Sequence, residues 1–484
     1  MHKSTVNIIG AGLAGCEAAW QAVRAGFRVN LYEMRPEKTS KAHKTNLFAE
    51  LVCSNSLRGA SLTNAVGLLK EELKLVGSLI IQAAENAKVP AGGALAVDRV
   101  VFSQYIDDKL RGHPLVTTHI KEVTSMAEVL AMRAAPTDTI VGARFARPGG
   151  RADPAPTTES PEFIPTIIAT GPLTSDKMAA SISEFFGESG LSFFDAISPV
   201  IFDESIDKTK LFYQSRYDKG DGDDYLNIPL TQDEYDNFVN LLKNGEKFGG
   251  HDEVESDCTA NLLPFEGCMP IESMLERGDQ TLRFGPLKPV GLTCPQTNDK
   301  PYAVVQLRHD DLAKKLWNIV GFQTKLKHCE QIRIFRTLPG LENAEFARLG
   351  SVHRNTFINS PKFLNNTNEL KNYPGIFFAG QITGVEGYVE STASGLVAGI
   401  NAVRYLQNKK PISFPPDTAV GALLNYISEP KKYFQPMNVN YGLIPFYSAA
   451  ALQRDGKRRL GKDERRLKTA ENALRELANL LESL

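Results

Sequence analysis

Three glycines near the start of the sequence have the spacing of a dinucleotide phosphate site. An apolar run leads directly into Gly10, Ala11, Gly12, Leu13, Ala14 and Gly15, and an alanine-rich helical stretch follows. Gly10 permits a tight turn, Gly12 leaves room for a pyrophosphate, and Gly15 lets the helix pack against the strand. The helix amino terminus then faces the phosphates. A second apolar run ends at Glu33, at the position where a carboxylate accepts hydrogen bonds from a ribose.

Two later glycine turns indicate which nucleotide these elements suit. One follows the apolar run at 166–168 and ends in Gly171, and the other, after the run at 376–379, contains Gly380, Gln381 and Gly384. A small-residue helix follows the second turn and would place another helix amino terminus against the cofactor. The first motif and its acid alone would also suit NAD or S-adenosylmethionine, whereas the combination of all these elements favours FAD.

The composition is that of an ordinary soluble protein with two or three domains. The chain has 484 residues and a formal net charge of -1, so any RNA-binding surface must be a local patch. There is no apolar run of about 18 residues, which predicts that no segment spans a membrane. Met1 is followed almost at once by the first apolar run, which leaves no room for a signal peptide and predicts a cytoplasmic protein.

The cysteines and histidines lack the spacing of a metal site or of a disulfide framework. The six cysteines, at positions 16, 53, 258, 268, 294 and 329, form no CxxC pair, and the eight histidines form no HxxxH or HExxH motif. We therefore predict that the protein holds no metal. Without further context, each cysteine is expected to be an inert core residue.

The apolar patterns predict an α/β protein, built as a Rossmann-type FAD-binding domain with an inserted mixed α/β domain. Helical spacing recurs from Leu68 to Ile80, and Val100 to Leu110 predicts a further helix. Residues 134–162 are rich in proline, alanine, glycine and arginine, which predicts a surface excursion. The predicted divisions are the first part of the FAD-binding domain at 1–197, the inserted domain at 198–335, the second part of the FAD-binding domain at 336–451, and a basic helical segment at 452–484.

Residues 452–484, called the C-terminal segment below, concentrate positive charge in an otherwise neutral chain. The first half includes Arg458, Arg459, Arg465 and Arg466, and leucines in the second half form an apolar stripe. The sequence favours a terminal helix with a solvated charged face. The alternative is that these arginines contact RNA phosphates, since such clusters bind by displacing counterions.

Several longer motifs resemble a single enzyme family. They are LVCSNSLRG at 51–59, IIATGPLTS at 167–175, SRYDKG at 215–220, YLN at 225–227, PFEGCMPIE at 264–272, RFGPLKPVGL at 283–292, YAVVQLR at 302–308, AGQITGVEGYVES at 379–391 and PMNVNYGLIP at 436–445. In this order they resemble the folate- and FAD-dependent tRNA (uracil-5-)-methyltransferases over nearly the whole chain. The chain departs from that family in its long 134–162 segment and at Ile228, where a cysteine is expected.

The resemblance implies a methyl transfer that does not use S-adenosylmethionine. Methylenetetrahydrofolate would donate a one-carbon unit, FAD would relay and reduce it, and NAD(P)H would supply electrons. The acceptor would be C5 of a T-loop uridine in tRNA. The two functional thiols of the family match Cys53 and Cys268. Cys268 is expected to attack C6 of the uracil, and Cys53 to act as the base at C5 or to protect the flavin adduct.

Two other functions agree with the same motifs. One is the same chemistry on a ribosomal RNA uridine, and the other is a flavoprotein that binds and remodels tRNA with secondary catalysis. The presence of both Cys53 and Cys268 favours the enzyme over the remodelling protein. The family is also similar in fold to larger glucose-inhibited-division-type flavoproteins, which carry a long carboxyl-terminal helical domain and work with a GTPase. This chain is too short for that domain, so we expect no obligate protein partner.

Overall fold

The computed structural model describes residues 5–40, 42–133, 163–188, 191–219, 222–248, 269–295, 298, 300–450, 454–455 and 458–483. The strands are β1 Thr5–Ile9, β2 Arg28–Glu33, β3 Ser56–Gly59, β4 Lys88–Val89, β5 Ala94–Val97, β6 Val116–Ile120, β7 Thr166–Ile168, β8 Leu191–Ala196, β9 Val200–Phe202, β10 Phe212–Tyr213, β11 Tyr225–Leu230, β12 Ala303–His309, β13 Leu316–Ile319, β14 Phe346–Arg348, β15 Val352–Phe357, β16 Ile376–Phe378, β17 Arg454–Asp455 and β18 Arg458–Arg459. The helices are α1 Leu13–Arg24, α2 Ala65–Val76, α3 Leu79–Asn86, α4 Arg99–Arg111, α5 Met126–Met132, α6 Asp176–Phe186, α7 Gln232–Asn244, α8 Ile271–Met274, α9 Thr281–Phe284, α10 His328–Phe335, α11 Ser360–Phe363, α12 Tyr388–Leu406, α13 Ala419–Ser428, α14 Pro445–Ala450 and α15 Lys462–Glu482.

A five-stranded parallel sheet carries the glycine motifs. Its strand order is β16-β7-β1-β2-β6, with Ile8 opposite both Leu31 and Ile167. Parallel strands covered on both faces have continuous apolar sequences, which is why the central strand β1 is almost wholly buried. All five strands run the same way, so their carboxyl ends meet at one edge. This arrangement confirms the predicted α/β class with a Rossmann-type sheet.

Helices α1 and α12 pack closely because small residues face each other. A Cβ on Gly395 would collide with the backbone of Ala14, and a Cβ on Gly399 would crowd the backbone of Ala18. Without side chains at these two positions, the helix axes can approach to backbone contact. The approach brings the amino-terminal end of each helix towards the same edge of the parallel sheet.

The inserted unit has its own sheet and its own core. The six strands have the order β10-β11-β12-β13-β9-β14, and β12 is buried along its whole length. Trp317, Tyr235 and Phe322 are among the largest side chains of a separate apolar cluster. Strand β14 completes this sheet by pairing with β9, although it lies after residue 335, where the inserted domain was predicted to end. The division of the chain into domains stays a prediction.

The helical stretch predicted from Leu68 to Ile80 is two helices. Gly77 ends α2 with a φ of 83°, and the hydroxyl of Ser78 accepts a hydrogen bond from the amide of Ile81 to start α3. The predicted helix from Val100 to Leu110 is α4. Residues 134–162 lie outside the described part of the chain. No helix among the described residues is long and apolar enough to cross a membrane.

Candidate functional site

A cavity of about 420 Å³ opens at the carboxyl ends of the parallel strands. In open α/β sheets, ligands bind at this edge. Ile9 ends β1, Glu33 ends β2, and Ala169 follows β7, and all three line the cavity. The predicted cofactor residues that line it are Gly10, Gly12, Leu13, Ala14, Glu33, Gly171, Gly380 and Gln381.

The glycines of the first motif occupy the positions that the motif requires. Gly10 has a φ of 100°, and a Cβ there would lie 2.5 Å from the carbonyl oxygen of Ala169. A Cβ on Gly15 would collide with the carbonyl oxygen of Gly10, so helix α1 could not pack against the strand. A Cβ on Gly12 would meet no atom within 4 Å, because this residue faces the open cavity. This wall can therefore accept a pyrophosphate at the amino terminus of α1.

Glu33 is a buried acceptor on the cavity wall. The amide of Ala11 donates to its Oε2 at 3.0 Å, while the amide and the Nε of Arg35 donate to its Oε1 at 3.1 and 2.9 Å. Burial would raise the pKa of Glu33, but the hydrogen bonds and charge of Arg35 and the amide of Ala11 outweigh it and lower the pKa. A carboxylate has about four lone-pair sites, so an acceptor site remains for a ribose hydroxyl.

Three of the predicted cofactor residues do not line the cavity. Ala11 contacts Glu33 through its amide, and Gly15 provides the close contact between helix and strand. Gly384 has a φ of 83°, and a Cβ on it would collide with the ring of Phe434. These residues shape the turns behind the wall, and their predicted contact with the cofactor stays a prediction.

Cys53 also lines this cavity, and its main chain is held on two sides. The amides of Cys53 and Ser54 donate to the hydroxyl oxygen of Tyr388 at 2.8 and 3.1 Å. Arg348 donates from Nη2 to the carbonyl oxygen of Cys53 at 3.2 Å. The sulfur donates weakly to the carbonyl oxygen of Ala196 at 3.6 Å. The thiol is thus presented at the cavity from a backbone that two distant side chains fix.

Asn55 connects the segment after Cys53 to the inserted sheet. Its Nδ2 donates to the carbonyl oxygens of Val97 at 3.1 Å and His309 at 2.9 Å. Nη2 of Arg308 donates to Oδ1 of Asn55 at 2.7 Å. The asparagine is fully buried, so loss of either partner would leave a polar group unsatisfied away from water. The cavity wall at Cys53 is therefore continuous with the inserted unit.

Cys268 lies outside the described residues, whereas the residues that follow it are described. The amide of Ile271 donates to the carbonyl oxygen of Gln323 at 2.7 Å, and Gln323 lines the cavity. Ile228, at the position where a cysteine was expected, is fully buried in the core of the inserted unit. A thiol at residue 228 would have no access to the cavity while that core is packed.

Arg58, five residues after Cys53, also lines the cavity. Its φ is 63°, and its guanidinium forms an ion pair with the buried Glu390. Nζ of Lys70 donates to the carbonyl oxygens of Leu57 at 2.7 Å and Gly59 at 2.8 Å. Burial lowers the pKa of Lys70 to about 8. These contacts on each side hold Arg58 in a conformation that costs energy for a residue with a side chain.

Two arginines of the C-terminal segment pack against tyrosines. The guanidinium of Arg465 lies 5.1 Å from the ring centre of Tyr447, and that of Arg466 lies 5.9 Å from the ring centre of Tyr441. Arg458 and Arg459 form strand β18. Helix α15 buries Leu477 against the core of the FAD-binding unit. In the described ranges, no group of three or more His, Cys, Asp or Glu side chains is arranged to hold a metal ion.

Comparison with known proteins gives close relatives and a more distant fold neighbour. The family model described as glucose inhibited division protein A matches residues 5–410. A Listeria innocua protein named methylenetetrahydrofolate–tRNA-(uracil-5-)-methyltransferase TrmFO is 52% identical over 485 residues, covering 100% of both chains. A Geotalea uraniireducens protein of the same name is 53% identical over 485 residues, again covering 100% of both chains. Aquifex aeolicus GidA, at 17% identity, has a TM-score of 0.62 over 98% of this chain and 76% of its own, which shows a shared fold.

Proposed function

This chain belongs to the methylenetetrahydrofolate–tRNA-(uracil-5-)-methyltransferase family, and from that premise we propose that it methylates C5 of a uridine in the T-loop of tRNA. The carbon donor in this proposal is methylenetetrahydrofolate. The observation that carries the proposal is a single cavity that combines the glycine turns at 10–15 and at 380–381 with the thiol-bearing residue Cys53. Since its substrates are tRNA and folate, we propose that the protein works in the cytoplasm.

We propose FAD as the cofactor because the cavity wall suits each part of a dinucleotide. Gly12 and the amino terminus of α1 would hold the pyrophosphate, and Glu33 would accept a ribose hydroxyl. Gly380 and Gln381 line the same cavity ahead of helix α12. When bound, FAD would supply the relay and reduction of the one-carbon unit with electrons from NAD(P)H.

The proposed chemistry needs a nucleophile and a base because C5 of uracil is itself a poor nucleophile, and cysteine suits both roles. Addition of the Cys268 thiolate to C6 would give C5 enolate character, and a base must later remove the C5 proton. Cys53 is our candidate for that base, or for protecting the cofactor, and its position on the cavity wall supports both roles. The assignment of Cys268 rests on the family motif at 264–272. The target uridine must leave its stack to enter.

We also propose that the C-terminal segment contributes to RNA binding. The motivation is its cluster of arginines in a chain of net charge -1. Arg465 and Arg466 are weaker candidates for RNA binding, because their guanidinium groups pack on tyrosine rings within the protein. Arg458 and Arg459 precede α15 in the chain and are the main candidates for contacts with phosphates.

The first test is the identity of the flavin and of the carbon source. The purified protein should be yellow and release FAD on denaturation, and label from methylenetetrahydrofolate should appear in the RNA. Release of FMN, or label arriving from S-adenosylmethionine, would overturn the proposed reaction. Mapping of modified nucleosides in cells that lack the protein would distinguish the two possible acceptors. If the missing methyl group is in ribosomal RNA and not in tRNA, then ribosomal RNA is the substrate.

A second test assigns the nucleophile. RNA containing 5-fluorouracil should form a covalent complex with the protein, because fluorine at C5 cannot leave as a proton does. Cys268→Ala should form no complex, whereas Cys53→Ala should form one yet fail to methylate ordinary RNA. Cys329→Ala is the matched control, since Cys329 is exposed and free and does not line the cavity. A complex that persists in Cys268→Ala and is lost in Cys53→Ala would reverse the two roles.

A further inference from the structure

Hydrogen bonds from two separate elements hold the main chain of Cys53. Tyr388 is the first residue of α12, and its hydroxyl oxygen accepts the amides of Cys53 and Ser54. Arg348 ends β14 in the inserted unit, and its guanidinium donates to the carbonyl oxygens of Val52 and Cys53. One set of hydrogen bonds holds the amide of Cys53 and the other holds its carbonyl group, so the backbone that carries the sulfur has little freedom to move.

The hydroxyl proton of Tyr388 is not used in the hydrogen bonds with these two amides. A phenol oxygen offers about two lone pairs and one O–H, and the two amides use the lone pairs. Burial, followed by the nearby Cys53, raises the pKa of Tyr388, so the O–H stays protonated at neutral pH. Tyr388 and Cys53 both line the cavity. The remaining O–H is therefore a donor beside the thiol.

Arg348 brings a positive charge to the other side. Burial lowers the pKa of Arg348 to about 10, and the guanidinium still carries its charge at pH 7. The groups within its electrostatic reach are Arg99, Cys53, Tyr388 and Asp310. Arg99 is paired with Asp310 at 3.1 Å, which largely balances its charge. Arg348 therefore holds the carbonyl oxygen of Cys53 as a charged hydrogen-bond donor.

The sulfur of Cys53 makes one contact of its own. It donates to the carbonyl oxygen of Ala196 at 3.6 Å. Sulfur is a weak donor, so this contact does little to fix the side chain. The position of the sulfur therefore depends on the backbone that Tyr388 and Arg348 hold.

We infer that Tyr388 and Arg348 are positioning residues for Cys53, which hold its backbone so that its sulfur is presented at the cavity. The inference rests on the proposed function, which makes Cys53 a working thiol, and it adds how that thiol is held in place. Neither residue needs to touch the uridine for this role.

The test is the rate at which iodoacetamide alkylates Cys53 in the flavin-loaded protein. Peptide mass spectrometry follows the peptide that contains Cys53 from pH 6 to pH 9 in the wild type, Tyr388→Phe, Arg348→Gln and Arg348→Lys. We expect Arg348→Gln to slow alkylation of Cys53 at pH 7 several-fold, because the loosened backbone no longer holds the sulfur at the cavity. Tyr388→Phe should also slow it several-fold, and Arg348→Lys should slow it less than Arg348→Gln because lysine can still donate to the carbonyl oxygen of Cys53.

The controls separate this positioning effect from general damage to the fold. Tyr235→Phe removes another buried hydroxyl, which donates to the carbonyl oxygen of Asp279 at 2.6 Å away from the cavity, and should leave the Cys53 rate unchanged. Alkylation of the exposed Cys329 is an internal reference within every variant. If Arg348→Gln fails to fold, Tyr388→Phe and Arg348→Lys still decide the question.

Two results would overturn the inference. One is a Cys53 alkylation profile that is the same in Tyr388→Phe and Arg348→Lys or Arg348→Gln as in the wild type. The other is a matching fall in the Tyr235→Phe control. A failure of the proposed function looks different, because it would appear as a wild-type protein without FAD or without methyl transfer, whatever the alkylation rates of its variants.

Discussion

Glu72 gives the sharpest prediction of pH-dependent stability. It is fully buried on α2, where its two carboxyl oxygens accept hydrogen bonds from the amides of Ala419 and Val420 at 2.7 and 2.9 Å. These amides are the first of helix α13. Burial raises the pKa of Glu72 to about 8 despite the two amides, which act to lower it. Tyr441 is the other titratable group that interacts with Glu72, and burial raises its pKa so that it stays neutral in this range.

The sign follows from the proton count in the folded and unfolded chains. Between pH 5 and pH 8 the folded chain keeps the proton on Glu72, whereas the unfolded chain, with a pKa near the ordinary value of 4.5, has lost it. Stability from this group is therefore complete below pH 4.5 and is lost as the pH rises through 8. At about 1.4 kcal/mol per pH unit, the loss from pH 5 to pH 8 is on the order of 3 kcal/mol.

Glu72→Gln should remove this pH dependence of stability and replace it with a loss of stability that does not change with pH. An amide oxygen can accept one of the two backbone amides, but its NH₂ group meets the other as a second donor, which costs about 1–2 kcal/mol. The wild type should therefore be more stable at pH 5, and the variant equally or more stable at pH 8. Hydrogen exchange of peptides that cover α13 measures the local opening, and the ratio of protection between the two proteins should change by about 100-fold over this range.

Glu71→Gln is the matched control, because it removes an acid from the neighbouring position on the same helix. Its ratio of protection to the wild type should stay constant between pH 5 and pH 8. If the Glu72→Gln ratio is equally constant, then Glu72 is ionised throughout and the burial argument fails. A ratio that changes with the opposite sign would mean that the two amides outweigh the cost of burial.

Three further predictions address the cofactor, the RNA and a buried thiol. Gly12→Leu should fold but lose FAD, since a side chain there enters the cavity, whereas Gly15→Leu should fold poorly because its side chain collides with Gly10. Flavin absorbance and circular dichroism distinguish the two variants, and equal outcomes would contradict the roles assigned to the two glycines. Glutamine in place of Arg458, Arg459, Arg465 and Arg466 should weaken RNA binding and flatten its salt dependence with FAD content intact, and an unchanged slope would leave the segment a structural role alone. Burial raises the pKa of Cys16, so iodoacetamide should leave it unmodified in the native protein at pH 8, as peptide mass spectrometry can check.

The parts of the site that the sequence predicted are those whose geometry is local. The glycine spacing of residues 10–15 specifies a turn and a helix start within six residues, and the structure has both. The break between α2 and α3 was missed because the apolar positions keep helical spacing across Gly77. Glycine is tolerated within many helices, so its role as a stop depends on Ser78 capping the next helix.

The parts that the sequence did not predict depend on contacts between distant residues. Tyr388 meets Cys53 across 335 positions, and Arg348 meets it across 295. A tyrosine at a helix start and an arginine at a strand end are common, and nothing in their own neighbourhoods marks them as partners of a thiol. The same holds for β14, whose three residues join the inserted sheet only because β9 lies beside them.

The origin of each contact explains why the inserted unit and the FAD-binding unit share one cavity. Cys53 and Tyr388 belong to the FAD-binding unit, whereas Arg348 and Gln323 come from the inserted unit. Neither unit alone holds the thiol from both sides. The buried Asn55, bonded to main chain of both units, fixes their relative position within a few residues of the thiol. A small shift between the units would therefore disturb Cys53, since its carbonyl contact crosses the junction and its amide contact does not.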